Sequence, residues 1–308
     1  MANLQNERGI CDKSLLLQMS RKSRLINYRH PYLSELDSRF YASLDFINLQ
    51  PKNIFSIDIF PNFNVGLKST LFKNANWVDG SSLLNKPKSF AKKNFFLDIL
   101  ENLNFLNKKK EIFYPSKNYR YAFSDNAFDY VEALSVIPWA NNPVLLINEI
   151  YRLLDYGGFF GFTSFGPNTL DTLIATLSKE NKSQVRKSFL PLIDLHDIGD
   201  FCTSAGFVSP VVASNRVCFK YNNAETALNE LRLLSGNPRS DRDRFLRGKS
   251  WHKKIINALN NCKDSDGFVT LEFEFIYGHA WKGEKKSSKI KDGSEFVEKK
   301  VIYINESK

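Results

Sequence analysis

The sequence has no unbroken apolar run near the roughly twenty residues that a membrane-crossing helix needs, so no membrane span is expected. The opening Met1-Ala2-Asn3-Leu4-Gln5-Asn6-Glu7-Arg8 lacks the charged-then-apolar order of a secretory signal, and a cytoplasmic location is the expectation. Cysteine is scarce and scattered at Cys11, Cys202, Cys218 and Cys262, with no Cys-x-x-Cys pair. That spacing offers no zinc or redox motif and reads as ordinary thiols in a reducing compartment; no metal site is expected. Aromatic and basic residues do not interleave as they do on nucleic-acid-binding folds, so no nucleic-acid partner is expected. No segment repeats. No Ser-His-Asp or paired-carboxylate arrangement stands out. His196 and His279 sit at predicted element ends and read as structural, so no catalytic residue is assigned.

What is present is a chain of 308 residues, 43% of them apolar, long enough to bury a full core. Its net charge of +10 favours an acidic partner. The alternative is lysine enrichment spread over solvent-facing positions. Residues 1–30 are polar. From Tyr32 to Leu49 the apolar positions Leu33, Leu36, Phe40, Leu44 and Ile47 keep a helical period. Ile54 to Ile59 reads as a short buried strand, Asn76 to Gly80 as a second, and Phe128 to Ile137 as a central one. Asn142 before Pro143 is an N-cap with proline in the first turn. The helix it opens buries Ile147, Ile150 and Leu154 and is expected to stop at Gly157-Gly158. A strand from Phe159 to Phe165 follows, then a helix over Leu195–Ala205 ended by Gly206. Two long strands, Val208–Tyr221 and Phe268–Trp281, flank a basic helical insert. Residues 85–118 read as helix plus loop. The Lys-rich end reads as a loose tail around Val301-Ile302-Tyr303-Ile304. Alternating strand and helix predicts an α/β chain with an open, mostly parallel sheet covered on both faces.

One region is more specific. Phe123-Ser124-Asp125-Asn126-Ala127-Phe128-Asp129-Tyr130-Val131, the later Trp139, and Tyr156-Gly157-Gly158 leading to Phe162-Thr163-Ser164-Phe165-Gly166-Pro167 resemble the second half of a class I S-adenosylmethionine-dependent methyltransferase sheet. The resemblance implies a Rossmann-like, seven-stranded fold with an insert before the last strand. Its expected parts are an extension over 1–30, the methyltransferase domain over 31–283 with its insert at 224–262, and a basic tail over 284–308. It also implies a cofactor site. Asp58 falls where the first strand's acidic residue belongs, and Asp79 where the carboxylate for the ribose hydroxyls belongs. Leu134 and Ser135 fall where the methionine half passes. The glycine-rich turn of the family is replaced by Phe60, Asn62 and Asn64, with Pro61 among them; asparagine tolerates left-handed backbone better than most residues. Lys117 stands where an acidic residue usually meets the adenine.

Further along, Phe189-Leu190-Pro191-Leu192-Ile193-Asp194-Leu195-His196-Asp197-Ile198-Gly199-Asp200, Ala205-Gly206-Phe207, Gly236-Asn237-Pro238, Leu246-Arg247-Gly248 and Tyr277-Gly278-His279-Ala280-Trp281 form an ordered series. It is similar to malonyl-[acyl-carrier protein] O-methyltransferases of biotin synthesis, over about residues 28–283. This implies transfer of a methyl group from S-adenosylmethionine to the free carboxylate of a malonyl thioester. The implied partner is acyl carrier protein, which is acidic. Arg242, Arg244 and Arg247 of the insert are candidates to dock it, and Trp139 matches a subfamily aromatic near the substrate. A second reading stays open: the same fold without catalysis, retained as a binding or assembly factor.

Overall fold

The computed structural model describes residues 11, 30–58, 71–81, 112–113, 119–234, 237–242 and 248–284. Helix α1, Pro31–Leu44, begins at His30, whose ring accepts from the Tyr32 N–H. Strands β1 (Asn53–Asp58), β2 (Asn76–Ser81), β3 (Ile112–Phe113) and β4 (Phe128–Leu134) follow, then a 3-10 turn at Ile137–Trp139. Next come α2 (Pro143–Leu153), β5 (Leu154–Phe165), α3 (Asp171–Arg186), α4 (Leu195–Ala205) and β6 (Phe207–Tyr221). Helices α5 (Ala224–Leu233) and α6 (Lys249–Asn260) separate β6 from the last strand, β7 (Val269–Lys282).

These strands form a seven-stranded sheet ordered β3-β2-β1-β4-β5-β7-β6. Pairing is parallel from β3 to β5 and antiparallel at β7 and β6. The α/β architecture expected from the sequence is therefore the one found. The short β3 is an addition to it, and so is α3, whose buried Leu173 and Val185 are too widely spaced to signal a helix on their own.

Alternation along the strands divides the core between two faces. Ile54, Tyr130, Leu134 and Phe159 pack with Phe40, Tyr41 and Leu44 of α1. Phe55, Ile57, Val131, Ala133, Phe160 and Phe162 face the larger cluster, built with Ile147 and Ile150 of α2 and Ile198 and Phe201 of α4. Gly161 lets α1 sit close, because a Cβ there would stand 2.5 Å from the Phe40 ring. Gly206 ends α4 at φ 102°, a left-handed step that suits glycine, as the sequence predicts.

The end of α2 differs from expectation. The helix stops at Leu153, and Gly157 and Gly158 lie within β5. The freed helix-end carbonyls are satisfied by a lysine instead. Lys282 Nζ donates to Tyr151 O at 2.9 Å and Leu154 O at 2.8 Å, and to Asn126 Oδ1 at 2.7 Å. A buried ammonium at a helix C-terminus suits both the carbonyls and the helix dipole. The strand expected over Phe128–Ile137 likewise ends early, at Leu134, because Ser135 takes φ 52° and turns the chain into the 3-10 segment.

Candidate functional site

Strand order reverses between β1 and β4, so a crevice opens beyond their carboxyl ends; in open α/β sheets ligands bind at such a switch point. Asp58 ends β1 there, 8% exposed and in register with Ser81 on one side and Leu134 on the other. Asp79 is half-buried in β2, opposite Ser56. Gly80 follows it, and a Cβ at that glycine would meet the Phe55 ring at 2.5 Å. Phe60, Asn62 and Asn64 lie outside the described residues, as do Pro61 and Lys117. The Leu134 side chain is buried among Phe40, Tyr41 and Leu44, which leaves only its main chain toward the crevice. Ser135 commits its N–H to Thr163, at 3.0 Å to the carbonyl and 2.9 Å to Oγ1.

Measured against S-adenosylmethionine, the described part of this crevice fits the hydroxyl-bearing half of the molecule. Two carboxylates, able only to accept when ionised, stand near the ends of adjacent parallel strands, with a side-chain-free residue beside one of them. Of the two, Asp79 falls where the resemblance expects the ribose carboxylate and Asp58 where it expects the first strand's acidic residue.

Sequence reasoning missed a buried network on the face these carboxylates share. Glu132 has no solvent exposure. Its Oε1 accepts from Ser56 Oγ at 2.6 Å, and its Oε2 from Tyr41 OH at 2.9 Å and Tyr130 OH at 3.1 Å. Burial first, and the carboxylate second, hold both phenols well above the ordinary tyrosine range. The one signal in the sequence was a glutamate in the middle of an apolar strand. Arg152 was also missed. It donates to Phe123 O at 2.9 Å and Tyr121 O at 3.2 Å, and pairs with Glu149 and Asp125 at 2.6 Å each. It thereby fixes the 121–125 loop, which the family resemblance places just after the adenine pocket.

A cavity of about 930 Å³ lies beyond the end of β5, between the sheet and the insert. Phe165, Pro167, Thr169 and Leu170 form one wall. Glu274 of β7 pins that wall: it accepts from Asn168 N at 2.8 Å and Asn168 Nδ2 at 2.9 Å, and its carbonyl takes the Gly166 N–H at 2.8 Å. Gly166 is required here because a Cβ would stand 2.4 Å from the Glu274 carboxyl carbon. The opposite wall comes from α5 and α6 through Leu228, Leu231, Trp251 and Ile255. The 237–242 turn is fastened to the core by Asn237 Nδ2 on Lys187 O at 2.8 Å and Arg239 on Phe189 O at 3.2 Å. Two bonds between Cys11 and the Asn141 side chain, at 2.7 and 2.9 Å, and a bridge from Cys11 to Arg239 place Cys11 beside the cavity lining.

Trp139 and Arg242, singled out for substrate or partner, both line this cavity. Arg244 and Arg247 lie outside the described residues. Arg239, an additional lining residue, is engaged by Asp241 at 2.7 Å. The histidines do not join the site. His196 is exposed at the start of α4, and the His279 ring stacks on Phe159 at 5.3 Å.

A methyltransferase domain model matches residues 98–162. Over 174 residues the chain is 29% identical to malonyl-[acyl-carrier protein] O-methyltransferase 1 of Coxiella burnetii, covering 56% of this chain and 60% of that protein. Over 264 residues it is 25% identical to the malonyl-[acyl-carrier protein] O-methyltransferase of Legionella pneumophila, covering 85% of this chain and 87% of the relative. The matched stretch thus spans 60% of the Coxiella protein's length, and 58% for a further relative from Laribacter hongkongensis. In structure, the YcgJ protein of Bacillus subtilis superposes with a TM-score of 0.51 at 10% identity, covering 81% of this chain and all of that one. The fold is thus shared with YcgJ, residues 98–162 match a methyltransferase domain, and in sequence the chain is similar to the malonyl-[acyl-carrier protein] O-methyltransferases.

Proposed function

We propose that this protein methylates the free carboxylate of malonyl-[acyl-carrier protein], with S-adenosylmethionine as methyl donor, in biotin synthesis. The observation that carries the reading is the adjacency of two features: strand-end carboxylates suited to a ribose, and a large cavity opening past the neighbouring strands and roofed by a basic insert. When bound, the donor supplies an electrophilic methyl group on a sulfonium. A carboxylate is already ionised at neutral pH, so the reaction needs no general base. The chain's part is to hold the carboxylate in line with the methyl group and to keep water out. Apolar walls at Phe165, Leu173 and Phe273 serve the second task, and Asp58 and Asp79 orient the donor for the first. The exposed Lys249, Lys253 and Lys254 of α6 steer an acidic carrier protein.

A second reading, a non-catalytic protein of this fold, is favoured by one sequence observation. Phe60 and Pro61 stand where the family's turn admits the cofactor through glycine. Titration calorimetry with S-adenosylmethionine and S-adenosylhomocysteine separates the two, together with mass spectrometry of malonyl-[acyl-carrier protein] after incubation with the donor. Binding at micromolar ligand and a mass gain of one CH2 on the carrier support the transferase. Silence to millimolar ligand, with an unmodified carrier, supports the scaffold. If Phe60→Gly then creates binding, the turn is the defect.

A further inference from the structure

Two hydrogen-bond donors in the large cavity are buried and have no hydrogen-bond partner among the described residues: Nε1 of Trp139 and Nε of Arg242. Buried polar atoms nearly always have a partner, so each such exception calls for an explanation. Here the two exceptions fall in one cavity, on segments far apart in the chain. Trp139 follows β4 in the 3-10 turn, and is 9% exposed. Arg242 is half-buried in the turn that leads into α6. The neighbouring Arg239 shows what a satisfied guanidinium looks like in this place: it is held by both Asp241 oxygens at 2.7 Å. Arg242 has no such carboxylate among the described residues. One indole N–H and one guanidinium N–H, both unclaimed, match the two oxygens of a carboxylate, which accepts and does not donate. The cavity around them is walled by Leu173, Ile174, Leu228, Leu231 and Ile255, which suits the methylene and thioester part of an acyl group.

We infer that this cavity is the binding site for a carboxyacyl thioester, its free carboxylate seated between Trp139 Nε1–H and Arg242 Nε–H. The inference rests on the reading of the chain as a carboxyl methyltransferase and adds the residues that select the substrate. Trp139 lies one short turn past the carboxyl end of β4, at the border between crevice and cavity, so a carboxylate held there is next to the crevice proposed for the donor. Charged hydrogen bonds between apolar walls discriminate strongly, because an uncharged analogue leaves both donors unmet.

The test uses the full chain and the malonyl and butyryl thioesters of N-acetylcysteamine, which differ in the free carboxylate. Calorimetry should show the wild type binding the malonyl probe about tenfold or more tightly than the butyryl probe. Arg242→Gln should weaken malonyl binding about tenfold, and Trp139→Phe about fivefold, while butyryl affinity stays within about twofold. A readout that needs no variant is the indole N–H resonance of Trp139 in the ¹⁵N-labelled wild type. It should move downfield with the malonyl probe and stay in place with the butyryl one. No preference in the wild type, an unmoved indole resonance, or equal losses for both probes overturns the assignment. The methylation assay keeps the two readings apart. Carboxylate-selective binding without methyl transfer removes the transferase reading and leaves this site. Transfer with KM unchanged in both variants removes this site and leaves the transferase.

Discussion

Replacing Arg152 with methionine tests how the cofactor-side loop is held. The Arg152 side chain is 13% exposed and Glu149 is 6% exposed, and they meet at 2.6 Å. The guanidinium is held above its ordinary range, chiefly by its hydrogen bond to Glu149, and so stays charged. Removing it leaves the buried Glu149 carboxylate with the Tyr121 N–H at 2.8 Å and takes the arginine donors away from the carbonyls of Tyr121 and Phe123. Breaking one side of a buried pair costs about 3–5 kcal/mol, and the residual exposure and surviving amide place this case near about 3 kcal/mol. That is a large share of a domain's usual stability of about 5–15 kcal/mol. Urea unfolding followed by circular dichroism measures it. The cycle with Glu149→Gln and the double variant should return a coupling of about 2 kcal/mol. The contact to the exposed Asp125 is expected to add nothing measurable. A loss below about 1 kcal/mol, or coupling below about 0.5 kcal/mol, would refute the claim that this arginine fastens the 121–125 loop.

Gly161→Ala should cost about 2 kcal/mol by driving a methyl into Phe40, and most of that should return in the double variant with Phe40→Leu, read from the same unfolding curves. Burial, the largest cause, holds His30 and His279 below the usual 6.5, against the weaker pull of Glu230 on His30. The folded chain then binds fewer protons than the unfolded one below about pH 6.5, so stability is full above that pH and falls as acid is added; His279→Asn should flatten the slope between about pH 6.5 and 5. Asp125, Asp241 and Asp264, all held below 3.8 by basic partners, act in a separate window at lower pH. Among the thiols, exposed Cys218 should react first with a maleimide, whereas burial pushes Cys202 up to about 12 and keeps it inert until unfolding; equal rates would contradict the packing.

Local physics made much of the fold readable without coordinates. Asn142 with Pro143 names a helix start because the amide side chain accepts from the Leu145 N–H at 3.0 Å and proline has no donor to lose. Gly206 names a helix end because its φ of 102° is a left-handed step. The alternation through Val131, Ala133, Phe160 and Phe162 names strands because the pleat repeats every second residue. Where a distant residue did the work, the sequence was silent or misleading. Gly157-Gly158 looked like the stop for α2, but Lys282, far along the chain, satisfies that helix end. Glu132, in the middle of an apolar strand, is explained only once β1 and α1 bring Ser56 and Tyr41 to it. The family resemblance marked Trp139, and the basic charge of the insert marked Arg242, as candidates one at a time. Only the tertiary structure put their unmet donors into one cavity, because β7 and the insert fold back over the end of β5, and a hydrogen-bond deficit exists only once burial has removed water.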